Sequence, residues 1–256
     1  MRIHHEELPE IERFIQGQQH HGIQGKAGHY ERYLRLIRQA RTVDSGTRML
    51  EVGTGMGWFP MLCKANGLQC KGLEISPQLI EAAMKLGAEN GIEPDIELGN
   101  VEETDIGNEE YDVIVASSVF EHVEQWYDGL KRVYRALRPG GVLFFESTNK
   151  FSLKSGEYPF PLYGWMPDRL RYRFRIMVQG PEVMKLGIDF NQFRYPLLRR
   201  VLREIGFKTI LDVVDLSDLG RLRGLKKAIM ATAKRNALAR HILLTFMEAT
   251  TLVCTK

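Results

Sequence analysis

The stretch Arg48–Gly57 (RMLEVGTGMG) constrains this chain more than any other. It reads as a short buried strand carrying an acid, Glu51, near its end. Gly53, Gly55 and Gly57 follow at a spacing of two, and a helix opens at Trp58. A strand, a glycine turn and a helix N-terminus in series let backbone approach a ligand with no Cβ in the way. They also aim a positive helix end at an anionic group. The spacing is not the dinucleotide fingerprint, whose third glycine would fall where this chain has Trp58.

The residues around this stretch alternate between strand and helix patterns. Residues 1–45 are expected to be helical, with Tyr30, Tyr33, Leu34 and Ile37 at helical spacing before Asp44-Ser45-Gly46. Strands are expected at Arg48–Val52, Gln69–Glu74, Asp95–Leu98, Asp112–Ala116 and Val142–Glu146. Helices are expected between them at Trp58–Asn66, Pro77–Asn90 (with Ser76 as cap) and Trp126–Leu137, the last ended by Arg138-Pro139-Gly140-Gly141. This rhythm implies an α/β fold with a parallel sheet covered on both faces. Residues 150–190 hold Pro159, Pro161, Pro167 and Pro181 among many aromatics and show no clean period, so they read as a lid-like insertion. A helix Tyr195–Ile205, a strand Phe207–Val214, a helical stretch over 219–247 and a final strand over 250–255 complete the pattern. The whole is expected to be one domain, 1–256, with a helical cap at 1–45 and a basic helical insertion at 217–247.

Composition excludes little but is consistent. Of the 256 residues 44% are hydrophobic and 26% charged, ordinary values for a globular chain. No apolar run approaches a membrane span, and residues 1–7 hold no signal-peptide core, so a cytoplasmic protein is expected. Three cysteines without C-x-x-C spacing suggest neither a disulfide framework nor a metal site. A net charge of +3 does not by itself imply nucleic-acid binding.

The chemistry-bearing residues fall at successive strand ends. Glu74 closes the second strand, about twenty residues past the first glycine, where an acid can accept two ribose hydroxyls. Asn100-Val101-Glu102 follow the third strand, and Ser117-Ser118 the fourth. Taken singly, Glu74 could be a solvated strand end, Asn100 a turn residue and the serines helix caps. Their common position at one sheet edge is what points to a ligand.

The segment Tyr111–Val123 (YDVIVASSVFEHV), with Leu137-Arg138-Pro139-Gly140-Gly141 after it, resembles the class I S-adenosylmethionine-dependent methyltransferases of the ubiquinone and menaquinone biosynthesis type. The acid followed by G-x-G-x-G at 51–57 resembles their first motif. The resemblance is strong over residues 48–148. It implies a doubly wound Rossmann-like sheet of order 3-2-1-4-5-7-6 with the seventh strand antiparallel. It also implies S-adenosylmethionine as cofactor and S-adenosylhomocysteine as product. The implied contacts are Glu51 for the amino end, Gly53, Gly55 and Gly57 for the methionine end, and Glu74 with Ile75 for the ribose. Asn100, Val101 and Glu102 fall to the adenine, and Ser117 to the edge beside it. Asn100 stands where relatives often carry Asp. His122 is the candidate base for an oxygen acceptor, since it titrates near neutral pH and follows the fourth strand. Tyr30, with His29, is a candidate for closing the site from the N-terminal helix.

The acceptor is sought elsewhere. Arg169, Arg171, Arg173 and Arg175 alternate with Leu170, Tyr172 and Phe174, and 219–247 contains no acid among its Arg and Lys residues. Leu222, Leu225, Ile229 and Ala233 share one side of that stretch. One reading is a solvated charged face whose stripe packs on the domain; the other is contact with an anionic membrane or a phosphate-bearing acceptor. With the aromatic run Tyr158–Trp165, the second reading favours a small-molecule or lipid-linked acceptor. Competing functions are a cofactor-binding module without turnover, a nucleic-acid methyltransferase and a nicotinamide-dependent dehydrogenase. The fourth strand lacks the Asn/Asp-Pro-Pro-aromatic motif of adenine-N6 enzymes, which counts against nucleic acid, and the glycine spacing counts against nicotinamide.

Overall fold

A computed structural model describes residues 3, 8–19, 22–154, 160–181 and 191–256. Its sheet has the order β3-β2-β1-β4-β5-β7-β6. The strands are β1 (Arg48–Val52), β2 (Gln69–Glu74), β3 (Ile96–Leu98), β4 (Tyr111–Ser117), β5 (Leu137–Thr148), β6 (Thr209–Asp212) and β7 (Ala249–Thr255). The pairs β3–β2, β2–β1, β1–β4 and β4–β5 are parallel, while β7 runs antiparallel to both β5 and β6. This is the seven-stranded arrangement that the resemblance implied.

The central strands are apolar on both sides because helices cover both faces. In β4, Val113, Ile114, Val115 and Ala116 are wholly buried, as a parallel strand in the middle of such a sheet requires. One face carries Leu50, Ile114, Leu143 and Phe145 against α5 (Trp126–Ala136) and α7 (Tyr195–Ile205). The other carries Met49, Val113, Val115 and Phe144 against α2 (Ala27–Ile37) and α3 (Trp58–Ala65). Further helices are α1 (Pro9–Gln19), which packs on α4 (Pro77–Glu89), and α6 (Asp168–Gln179). The helix α4 starts as its sequence demands, with Ser76 Oγ accepting from Leu79 N at 3.2 Å and Pro77 at the first position.

Several boundaries differ from expectation, each for a local reason. Arg138–Gly141 does not separate a helix from a strand; it is a bulge inside β5, where the register with β4 shifts and Gly140 takes φ 74°. The strand expected to reach Val214 stops at Asp212, whose carboxylate accepts from Val214 N at 2.9 Å and caps a short helix α8 (Val213–Leu216). The stretch 219–247 is not one helix but two, α9 (Gly224–Arg235) and α10 (Ala237–Phe246). Asn236 divides them, accepting from Ala239 N at 3.0 Å as the cap of α10. The aperiodic insertion holds a regular helix, α6. Tyr158 and Pro159 of the aromatic run lie outside the described residues, as do 155–157 and 182–190.

A buried polar cluster fixes the far end of the sheet. Asp212, at 1% exposure, accepts from Tyr195 Oη at 2.6 Å and from Arg240 Nη2 at 2.6 Å. Asp215 meets the same guanidinium. Burial, then the Asp212 carboxylate, pushes the Tyr195 phenol well above its ordinary range. Arg240 therefore ties α10 to β6 and does not belong to the solvated basic face on which its sequence neighbours place it.

Candidate cofactor and active site

The glycine turn after β1 has all three glycines in the left-handed region, at φ 67°, 57° and 69° for Gly53, Gly55 and Gly57. That conformation is open to glycine at little cost and strained for other residues. A Cβ on Gly53 would strike Val119, and one on Gly57 would lie 2.7 Å from Ile96 Cδ1. A Cβ on Gly55 would meet nothing within 4 Å. The outer two glycines are thus required by packing, whereas the middle one keeps a space above the turn clear. The helix α3 begins at once with Gly57 as its cap, which brings no side chain to its first N–H groups.

Two buried carboxyls flank the turn. Glu51, at 4% exposure, accepts from Thr54 Oγ1. Burial, then the nearby Glu74, push its pKa up to about 8 against the opposing Thr54 bond. Glu74 closes β2 beside it. Its Oε2 accepts from Gly55 N at 2.7 Å, and its Oε1 from Ile75 N and Ser76 N, each at 3.0 Å. Burial raises its pKa, while those three N–H groups and the charge of His122 pull it down. Glu74 is therefore physically bonded to the glycine turn, and His122 is close enough for its charge to act on Glu74.

Beyond β3, Asn100, Val101 and Glu102 are all buried. Asn100 Oδ1 accepts from Glu102 N at 2.9 Å, and Glu102 Oε1 accepts from Gln125 N at 2.9 Å. Asn100 is thus both a turn residue and part of a built polar wall that reaches the start of α5.

At the ends of β4 and β5 the sequence reading needs adjustment. Tyr30 is buried and packs on Phe59, with ring centroids 5.8 Å apart. Burial pushes its phenol up to about 12; Cys63 and Cys70, which add to this, lie along α3 and at the start of β2, away from the glycine turn. Its neighbour Tyr33 does reach the edge, bonding Ser117 Oγ at 2.7 Å. Its ring lies against Trp58, Phe59 and Phe144. Beside it Arg32 grips Glu146 through both nitrogens, at 3.1 and 2.5 Å, and Thr251 at 3.2 Å. None of Tyr33, Arg32 and Glu146 was singled out from sequence as a site residue. His29 meets Trp58 at a 6.3 Å centroid distance. His122 closes a single helical turn, Phe120–His122, reached through Ser118 at φ 54°. Glu121, wholly buried, accepts from Ser147 Oγ at 2.8 Å.

Two hollows of about 180 and 500 Å³ open at the other end of the strands, around Lys71, Tyr111 and Cys70. Neither touches the glycine turn. Among the described residues no group of three or more His, Cys, Asp or Glu is placed to hold a metal ion.

The glycine turn, the two acids and the polar wall lie along one carboxyl edge, and residues 50–145 match the family model described as a methyltransferase domain. Residues 50–145 thus carry an S-adenosylmethionine-dependent methyltransferase domain. Its cofactor is S-adenosylmethionine, and the fit is visible in the clear space over Gly55 beside two buried carboxyls. The chain is 24% identical over 183 residues to a ubiquinone biosynthesis O-methyltransferase of Coxiella burnetii, covering 72% of each. It is 29% identical to the protein of the same name in Xanthomonas oryzae pv. oryzae, over 43% of this chain and 47% of that one. The chain thus spans about half the length of that second relative. Its fold is shared with an S-adenosylmethionine-dependent methyltransferase from Mesorhizobium loti, at TM-score 0.56 and 17% identity over 86% of this chain and 95% of that one.

Proposed function

We propose that this methyltransferase moves the methyl group of S-adenosylmethionine to an oxygen of a small-molecule or lipid-like acceptor. The observation that carries the reading is Glu74, held by Gly55 N and felt by the charge of His122, because it links the cofactor turn to an imidazole at the end of β4. Glu51 faces the cofactor ammonium, the first N–H groups of α3 its carboxylate, and Glu74 its ribose. Asn100, Val101 and Glu102 border the adenine, and Ser117 with Tyr33 the approach to the methyl carbon.

Transfer is an in-line displacement. The acceptor oxygen bonds to the methyl carbon as the carbon–sulfur bond breaks and its electron pair returns to sulfur. Alignment and exclusion of water supply much of the rate. His122, half-buried beside the edge, takes the hydroxyl proton. The test is product formation from labelled S-adenosylmethionine with phenols, quinols, sugars and lipids. Loss of turnover in His122→Ala at neutral pH supports the base, and full turnover with an oxygen acceptor removes it. Binding of S-adenosylhomocysteine without transfer to any acceptor would favour a cofactor-binding module.

We further propose that the α9–α10 hairpin rests on an anionic lipid surface. Leu225 and Ile229, expected to pack on the domain if the stripe were structural, are 76% and 43% exposed. On α10, Leu238, Ile242 and Phe246 recur every fourth position and are all exposed. Arg223, Lys226, Lys227 and Arg235 flank them with no acid in 219–247. No described helix is long and apolar enough to cross a membrane, so contact would be peripheral. Co-sedimentation with phosphatidylglycerol vesicles but not phosphatidylcholine vesicles is expected; equal behaviour with both contradicts the proposal.

A further inference from the structure

The glycine turn carries one long apolar side chain, Met56, which stands between Gly55 and Gly57. Both glycines take left-handed φ values, 57° and 69°, and glycine backbone is the freest of any residue. A segment flanked in this way is held in place by what its one side chain packs on. Met56 is 5% exposed and belongs to neither of the two large cores. It shares a third, smaller cluster with Leu8, Ile11 and Ile15, all buried, against which Leu79, Ala82 and Leu86 of α4 pack.

Leu8, Ile11 and Ile15 come from α1 and the residue before it, at the spacing i, i+3, i+7 that makes one helix face. Phe14, off that face, is 48% exposed. A helix of 11 residues is marginal in water by itself, so α1 is helical because it is docked. It docks on both loops of the cofactor site. Met56 lies in the turn after β1. Gln78 and Leu79 lie in the first turn of α4, just past Glu74, Ile75 and Ser76, and Leu8 N donates to Gln78 Oε1 at 3.1 Å. The two loops are bonded to each other through Glu74 and Gly55 N, and those hydrogen bonds are complete without α1. What α1 adds is an apolar contact that spans the same pair of loops.

We propose that Met56 is a positioning residue for the cofactor and that α1 is the clasp that sets it, so that docking of α1 and binding of S-adenosylmethionine favour each other. With α1 docked, the Met56 side chain is anchored and the backbone from Gly55 to Gly57 is fixed in the form the ligand meets. With α1 released, the two glycines let that backbone wander, and the ligand must order it on binding. Linkage makes the coupling act equally in both directions. The inference rests on the cofactor site at this turn and does not depend on the acceptor.

The test is hydrogen–deuterium exchange of the full chain with and without saturating S-adenosylhomocysteine. Exchange over residues 11–19 is expected to slow by about tenfold, within the usual range of such couplings, while exchange over α9 and α10 stays unchanged. Calorimetry reads the reciprocal effect. Met56→Ala, and separately Ile11→Ala with Ile15→Ala, should each weaken S-adenosylhomocysteine binding by about 5- to 10-fold. Met56→Leu, which refills the cluster at similar volume, should restore most of the affinity. Exchange over 11–19 that ignores the ligand, or that slows no more than exchange over α9 and α10, overturns the proposal. Wild-type affinity in both Met56→Ala and the α1 pair also overturns it. The exchange measurement needs no variant, so it decides the matter even where a variant fails to fold. Absent binding of S-adenosylhomocysteine to the wild-type chain would instead remove the cofactor site itself, so the two failures are distinguishable.

Discussion

At the β1–β2 end of the edge, Glu74 is buried and its carboxylate is bonded to three backbone N–H groups. Across the sheet, Thr250 and Asn149 are equally buried but carry side-chain oxygens without a hydrogen-bond partner. The first region is built from one short strand–turn–strand unit and is complete in itself. The second is assembled from β5, β7 and the segment at 191–193, which are distant in sequence. Substitutions should therefore separate the turn from distant parts of the molecule, with cofactor binding sensitive at the turn and insensitive on the α9–α10 hairpin.

Gly55→Val is expected to act most strongly. Its side chain would enter the clear space over the turn at φ 57°, with a backbone cost of about 1–2 kcal/mol. Circular dichroism should report a folded protein and calorimetry no binding of S-adenosylhomocysteine; unchanged affinity would break the assignment of that space. Glu74→Ala comes next, with affinity lowered about 10- to 100-fold, since hydrogen bonds to a charged group are worth about 1.5–3 kcal/mol.

The third effect is a pH dependence. Glu51 has its ordinary carboxyl value of 4.5 when unfolded and about 8 in the folded chain. Between those values the folded state holds a proton that the unfolded state has lost. Its contribution to stability therefore falls as pH rises through that window. A cofactor ammonium favours the ionised form, so binding of S-adenosylhomocysteine should tighten from pH 6 to 8, by at most about tenfold per pH unit. Glu51→Gln should flatten that slope, and a wild-type affinity independent of pH would remove Glu51 from the ammonium contact. The smallest effect is expected on the α9–α10 hairpin. Leu238→Asp with Ile242→Asp should change stability by no more than about 0.5 kcal/mol per site and leave S-adenosylhomocysteine affinity unchanged. The same pair should abolish sedimentation with anionic vesicles.

The same contrast explains what was legible in the chain. The glycine spacing, Glu74 and the DVIVA strand declare themselves because turn geometry and burial on both faces restrict residue type locally. Tyr33 was harder to choose than Tyr30, since the two lie three apart on the same helix face and only its docking angle decides which one reaches Ser117. Arg32 and Glu146 are 114 residues apart, and no local pattern pairs them. Arg240 looked like one more surface cation until Asp212 ended β6 early and captured it. The break at Asn236 was readable as a capping signal but was hidden by the helical character on both sides. Arg171 and Arg175 run against the usual exposure of arginine, and no local pattern in the sequence announces their burial.

The most direct test of the central claim is calorimetric titration of the wild-type chain with S-adenosylhomocysteine and, separately, with NAD. A single saturable site for S-adenosylhomocysteine, lost in Gly55→Val, and no heat from NAD is the predicted result. Binding of NAD in its place, or S-adenosylhomocysteine affinity that survives Gly55→Val intact, would contradict a cofactor site on the turn after β1.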